Sequence, residues 1–155
     1  MGITIISAMT EDRVIGKHND LPWHLPAEFS HFKETTTDGV CIMGRRTFES
    51  FGKRPLPNRV NIIVSSSLEK GEGYEVVSSV EEGIARGKVL GKEVFICGGS
   101  RIYAEGIALA DRMILTTVKQ KYEGDTYFPE FDSSQWHSDK VEDRGDFVIT
   151  WYSRN

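Results

Sequence analysis

Cysteine is nearly absent from this chain, with two residues in 155. Two thiols cannot make a disulfide framework, and a chain of this length has room for a hydrophobic core without one. Cys41 and Cys97 stand in apolar, strand-like runs and read as reduced core residues. The four histidines are scattered, so no spacing suggests a metal site. No apolar run approaches the roughly 20 residues of a membrane span. No charged-then-apolar leader precedes the first strand. Met1-Gly2 does not continue as a myristoylation signal, because Ile6 stands where a hydroxyl is needed. Positive charge is not in excess either. The net charge is −4 and the pI about 5.6, which argues against a nucleic-acid partner. Internal repeats, low-complexity tracts and linkers are missing. What remains is one domain over residues 1–155, expected in the cytoplasm, with no membrane contact.

Ile3 to Ala8 reads as a buried strand, and Met9 to Leu25 as a long loop. Such a length is uncommon without a function. Pro26 to about Thr36 reads as a helix, since Pro suits the first helical position. Asp38-Gly39 turns into a strand at Val40 to Met43, and Arg45 to about Phe51 is a short helix. A Pro-rich loop follows from Gly52 to Arg59. Val60–Val64, Tyr74–Val77, Glu93–Cys97 and Met113–Val118 are expected strands. Ser79-Val80-Glu81-Glu82 predicts a capping box opening a helix, and Ser100 to Ala108 another helix. Trp136–Glu142 and Phe147–Tyr152 suggest a terminal antiparallel hairpin turning near Arg144-Gly145. Strands that alternate with helices indicate an α/β fold with a mostly parallel sheet. Ligands bind such folds at the carboxyl edge of the strands.

Four segments carry candidate chemistry. In Leu21-Pro22-Trp23-His24-Leu25-Pro26-Ala27-Glu28-Phe29-Ser30-His31-Phe32 a loop with two prolines and a tryptophan runs into a helix. Glu28, Phe29 and Phe32 share one face of that helix. Burial there would raise the carboxyl's pKa and suit it to moving protons. A helix-start Glu held by the helix dipole and facing water fits the same residues equally well. Gly44-Arg45-Arg46-Thr47 ends a strand and opens a helix, an arrangement that suits an anion. Two solvated arginines on a turn fit it too. Gly98-Gly99 forms a second such turn, without the spacing of a dinucleotide fingerprint. Arg59 follows Pro55-Leu56-Pro57-Asn58, and a loop arginine is usually solvated.

These segments, with Asp12-Arg13-Val14-Ile15-Gly16, Glu123-Gly124-Asp125-Thr126 and Tyr127-Phe128-Pro129, keep the order and approximate spacing of dihydrofolate reductases. The chain resembles that family over essentially its whole length. The resemblance implies a three-layer α/β/α fold. Its central sheet would be eight-stranded and mostly parallel, with helices on both faces and an antiparallel C-terminal strand. It implies NADPH as cofactor, dihydrofolate as substrate, antifolates such as methotrexate as ligands, and a monomer. It makes Glu28 the acid that grips the pterin and assists protonation of N5. Thr116 would bond that carboxylate, and Leu21 and Trp23 would belong to the loop over the site. Ile6, Ala8, Phe29, Phe32, Phe51, Leu56 and Cys97 would surround the folate, and Arg59 would hold the carboxylate of its glutamate tail. The cofactor would meet Ala8, Ile15, Gly16, Gly44, Arg45, Arg46, Thr47, Ser65, Ser66, Ser100, Arg101, Ile102 and Tyr103. It would also meet Gly98 and Gly99, joined by a cis peptide. Without the resemblance Tyr103 reads equally as core, and Ser65-Ser66 as strand-end caps. His31 stands where many bacterial members carry Trp, and Ser78 where some carry Lys. Two other readings share the pattern. One is a reductase of the same fold acting on another pterin or pyrimidine, which the two folate-end residues Glu28 and Arg59 disfavour. The other is a non-catalytic nucleotide- or RNA-binding relic, which the acidic pI disfavours.

Overall fold

The structure, a computed structural model, describes residues 2–17 and 22–155. Its strands are β1 (Ile3–Thr10), β2 (Val14–Gly16), β3 (Val40–Gly44), β4 (Val60–Val64), β5 (Tyr74–Val77) and β6 (Val94–Ile96). They continue with β7 (Arg112–Val118), β8 (Thr126–Tyr127), β9 (Trp136–Asp143) and β10 (Phe147–Arg154). The helices are α1 (Pro26–Thr36), α2 (Arg45–Ser50), α3 (Val80–Leu90) and α4 (Ser100–Ile107).

One sheet has eight strands in the order β5-β4-β3-β6-β1-β7-β10-β9. From β5 to β7 every neighbouring pair is parallel. β10 then pairs antiparallel with both β7 and β9. The fold expected from the resemblance is present.

Central strands buried on both faces should be apolar at every position, not at alternate ones. Val40-Cys41-Ile42-Met43 obeys this, and the pleat divides its side chains. Val40, Ile42, Ile62, Val94 and Ile96 join the core on the α3 and α4 face. Cys41, Met43, Ile63, Phe95 and Cys97 join the opposite core with Phe48 of α2, where Phe32 of α1 and Phe51 also pack.

Capping chemistry sets the helix ends. Pro26 opens α1, and hydroxyls of Thr35, Thr36 and Thr37 close it by donating to carbonyls four residues back. Ser79 caps α3 through Glu82 N at 3.1 Å, and Gly91 ends it at φ 68° in the left-handed region. The expected capping box is half formed. Glu82 turns its carboxylate to the amide and hydroxyl of Ser78, one residue before the cap.

The region expected as a loop from Met9 to Leu25 is partly strand. Met9 and Thr10 extend β1 along β7, and β2 forms a separate two-stranded ribbon with β8. Two or three residues of pairing leave too little periodicity to read in a sequence.

Asn61 joins the sheet to the loop before it. Its side chain is buried on β4, accepts from Leu56 N at 2.9 Å, and donates to Leu56 O and Arg59 O at 3.0 and 3.1 Å. Asn61→Leu would strand three backbone groups of that loop. The expected loss is about 2–3 kcal/mol of unfolding free energy, read by urea denaturation. A loss near zero would mean that solvent replaces the amide without cost.

Candidate active site

A cavity of about 980 Å³ opens along the carboxyl ends of the parallel strands. That is at the upper end of the usual range for ligand pockets. Its floor comes from β1 and β6, through Ile6, Ser7, Ala8 and Cys97. One wall is α1, through Glu28, Phe29, His31 and Phe32, and the far end is built by the β3–α2 and β6–α4 turns.

Glu28 is the acid placed deepest. The first turn of α1 starts on Leu25, whose carbonyl accepts from the amides of Glu28 and Phe29. The helix then lies with this carboxyl against the sheet, and the residue is 5% exposed. Burial pushes its pKa from the ordinary 4.5 up to about 7. The Trp23 indole lies beside it and opposes the rise, yet no hydrogen bond closes between them. Glu28 Oε2 and Trp23 Nε1 are both buried, and among the described residues neither has a hydrogen-bond partner. Thr116, on β7 opposite Ala8 of β1, lines the same cavity. Among the described residues no hydrogen bond joins it to Glu28. The site therefore presents an acid that is half protonated near neutrality, with polar atoms turned inward and unsatisfied.

The two glycine turns meet at the other end. Gly44 N donates to Gly98 O at 2.8 Å, and the Gly98–Gly99 peptide is cis. Gly98 has φ +107°, and a Cβ there would lie 3.1 Å from the Tyr103 ring. Among the described residues no side chain caps the first turn of α2 or of α4, so both helix starts keep free amides. Arg45, Arg46 and Arg101 line the cavity beside them, with Ser65, Ser66 and Ser78. Arg45 Nη1 donates to Ser67 Oγ at 2.6 Å, and its Nε lies 3.5 Å from Glu49. Three arginines and two open helix starts make this end cationic, an arrangement that suits an anion.

Most expected site residues line this cavity, among them Ile15, Gly16, Thr47, Phe51, Ser100 and Ile102. Tyr103 does both things its position allowed. It lines the cavity, and it is core, with its hydroxyl donating to Ile6 O at 2.8 Å and its ring 4.9 Å from Phe128. Leu21 lies outside the described residues. Trp23, Leu56 and Arg59 are not in the cavity wall. Arg59 is held just beyond Phe32, whose ring centroid is 5.9 Å from its guanidinium carbon. Its Nε donates to Pro57 O and its Nη1 to Thr36 Oγ1. Residues given no role in advance also line the cavity: Ser7, Ser50, Val64, Asp125, Thr126 and Tyr127. The last three arrive on the β2–β8 ribbon, and Gly124 was the available signal. A side chain there would collide with Val14 and the Gly16 carbonyl.

A family model described as "Dihydrofolate reductase" matches residues 2–147. The dihydrofolate reductase of Bacillus subtilis (strain 168) is 47% identical over 137 residues, covering 86% of this chain and 79% of that protein. "Dihydrofolate reductase type 3" of Salmonella typhimurium is 44% identical over 137 residues, covering 88% and 83%. A solved dihydrofolate reductase from Enterococcus faecalis, complexed with NADP(H) and RAB-propyl, superimposes with a TM-score of 0.92. It is 38% identical, and the match covers 99% of this chain and 96% of that one.

The raised pKa of Glu28 has a consequence for stability. Between the unfolded value of 4.5 and the folded value of about 7, only the folded state holds this proton. Rising pH through that window therefore removes stability, and above it the loss is complete. Its size is about 3 kcal/mol. Glu28→Gln lacks this component. Its stability relative to the unsubstituted protein should rise by that amount between about pH 4 and about pH 8 in urea unfolding. A difference independent of pH would place the carboxyl in water.

Proposed function

The chain belongs to the dihydrofolate reductase family, and from that premise we propose how its cavity carries out the reaction. Its activity is the NADPH-dependent reduction of 7,8-dihydrofolate to tetrahydrofolate. The observation that carries the residue assignment is a single buried acid at one end of a cavity whose other end is cationic.

The residues at the cationic end fit NADPH. Arg45, Arg46 and Arg101, with the open amides of α2 and α4, match its phosphates in charge and in hydrogen-bond direction. Ser65 and Ser66 would meet the 2′-phosphate. The Ser65 Oγ already accepts from the amides of Ser67 and Leu68, which leaves its proton to donate outward. Tyr103 and Gly98 would border the nicotinamide, with Ile15, Gly16 and Thr47 along its course. NADPH supplies the hydride, which goes to C6 of dihydrofolate.

The protein's own part is position and proton control. Ile6, Ala8 and Cys97 form the floor beneath the pterin, and Phe29, Phe32 and Phe51 wall the ring and its extension. Glu28 grips the 2-amino and N3 edge, which supplies the donors its orphaned Oε2 lacks. Thr116 is placed to orient that carboxyl once the pterin is seated. With its pKa near neutrality Glu28 favours protonation of N5 through solvent, while hydride reaches the neighbouring carbon. Arg59, fixed by Pro57 and Thr36, would take the α-carboxylate of the glutamate tail where it leaves past Phe32. Methotrexate spans the same two ends and would bind both. No helix among the described residues is long and apolar enough to cross a membrane. A cytoplasmic monomer acting on small molecules, with neither nucleic acid nor membrane as partner, is the setting that goes with this reading.

Consumption of NADPH should require dihydrofolate, and its absence with active-site NADPH bound would overturn the reading. Arg59→Lys should raise KM for dihydrofolate about 30-fold or more, an effect of about 2–4 kcal/mol, and leave NADPH affinity nearly unchanged. A pterin substrate without the glutamate tail should not respond. Equal sensitivity of both substrates would remove Arg59 from the tail site.

A further inference from the structure

His31 stands three residues after Glu28 on α1, so the two side chains leave the same helix face. The imidazole is 6% exposed and lines the cavity with Glu28 and Thr116. Its Nδ1 lies 3.5 Å from Thr35 Oγ1. The Thr35 hydroxyl already gives its one proton to the His31 carbonyl, at 2.7 Å. That oxygen can only accept from the ring, so the contact requires the proton on Nδ1. A neutral imidazole with Nδ1 protonated presents Nε2 as a bare lone pair. This Nε2 is buried and has no hydrogen-bond partner among the described residues. On the same face Glu28 Oε2 is also buried without a partner, and in its acid form a carboxyl has a proton to give.

Among the described residues no hydrogen bond joins the two side chains, and we propose that His31 is a positioning residue for Glu28, whose acid proton its Nε2 accepts through one bridging solvent molecule. The interaction stabilises the acid form of Glu28 and fixes which oxygen carries the proton before the pterin arrives. It requires His31 to stay neutral while Glu28 titrates, and the surroundings favour this. Burial lowers the ring's basicity, and the Arg144 guanidinium lowers it further. Glu142 from β9 and Glu34 from α1 oppose it. Arg144 is itself tied to Glu142 at 2.7 Å, which spreads its charge. On the remaining side the Trp151 ring meets the imidazole edge-on at 6.3 Å, and Lys140 lies over that tryptophan at 4.9 Å from its ring centre. Cationic neighbours beyond an apolar ring favour the neutral form.

This inference rests on Glu28 being the acid of the proposed reaction, and its first test needs no turnover. In the ligand-free full chain, the His31 ring nitrogens and the Glu28 carboxyl carbon are followed by NMR from about pH 5 to about pH 9. The Nε2 signal should be that of an unprotonated nitrogen at and above the midpoint of the Glu28 titration. It should step at the midpoint of the Glu28 titration, and the step should vanish in Glu28→Gln. A flat Nε2 signal through that midpoint, or an Nε2 protonated at or above it, overturns the proposal. The second test is kinetic. His31→Gln offers an N–H to the carboxylate and so favours the charged form of Glu28. The alkaline fall in single-turnover hydride transfer should then begin at lower pH, with a loss of about fivefold at about pH 8 and almost none at about pH 5. A loss of equal size at every pH would make His31 structural only. Absence of any dihydrofolate reduction by the unsubstituted protein would instead contradict the proposed function, and the NMR result would stand apart from it.

Discussion

The desolvation of one carboxyl group organises this molecule. Glu28 is an acid in a place where water is largely excluded, and burial is the main reason its pKa sits near 7. Such burial is costly, because an acid would otherwise ionise in water well below neutrality. Helix α1 can hold it there only because Phe32 packs on the core formed by β3, β4 and β6, and because three threonines end the helix before the β3 strand begins. The unsatisfied atoms around the carboxyl are a form of preorganisation. Trp23 Nε1, His31 Nε2 and Glu28 Oε2 are oriented before any ligand arrives. In the proposed reaction a pterin edge, rich in N–H donors, would answer the carboxyl oxygen.

The rest of the cavity follows from the topology of the sheet. Six parallel strands put all their carboxyl ends on one edge, and the helices that follow β3 and β6 begin there. Glycine at both turns lets the two loops touch, through Gly44 N and Gly98 O. Free amides and three arginines then face the end of the cavity away from Glu28. Charge is thus segregated within one cavity, with arginines at one end and the buried Glu28 carboxyl at the other. Between the two ends the cavity is lined by Ile6, Ala8, Cys97 and Gly98.

Sequence made some of this legible and hid the rest for physical reasons. The central strands could be read because they are buried on both faces and hence apolar throughout, as in Val40 to Met43. Helix α3 could be read from Ser79 at its start, and Gly91 closes it in the left-handed region. The β2–β8 ribbon could not, since its pairing depends on contacts across more than a hundred residues and spans two or three residues on each side. It brings Asp125, Thr126 and Tyr127 to the cavity, which only Gly124 and the family-like segment around it signalled. Nor could the burial of Glu28 be decided locally. The buried face of α1 carries Glu28, His31 and Thr36, so its periodicity is as polar as that of a solvated helix. Only tertiary packing separates the two meanings of the same residues. For Arg59 the resemblance pointed to the site, while the structure holds its guanidinium just outside the cavity wall on Thr36 and Pro57.

The central claim is that the buried Glu28 carboxyl governs protonation of the substrate. Its most direct test is single-turnover hydride transfer, measured from about pH 5 to about pH 9 for the unsubstituted protein and for Glu28→Gln. The account predicts a rate that falls above about pH 7 in the unsubstituted protein, following the loss of the Glu28 proton. In Glu28→Gln it predicts a loss of at least about 100-fold near neutrality, recovering toward low pH as solvent protonates N5 unaided. A Gln variant that transfers hydride at near-native rates at neutral pH would contradict it, and would make Glu28 an acid of the helix start with no part in the chemistry.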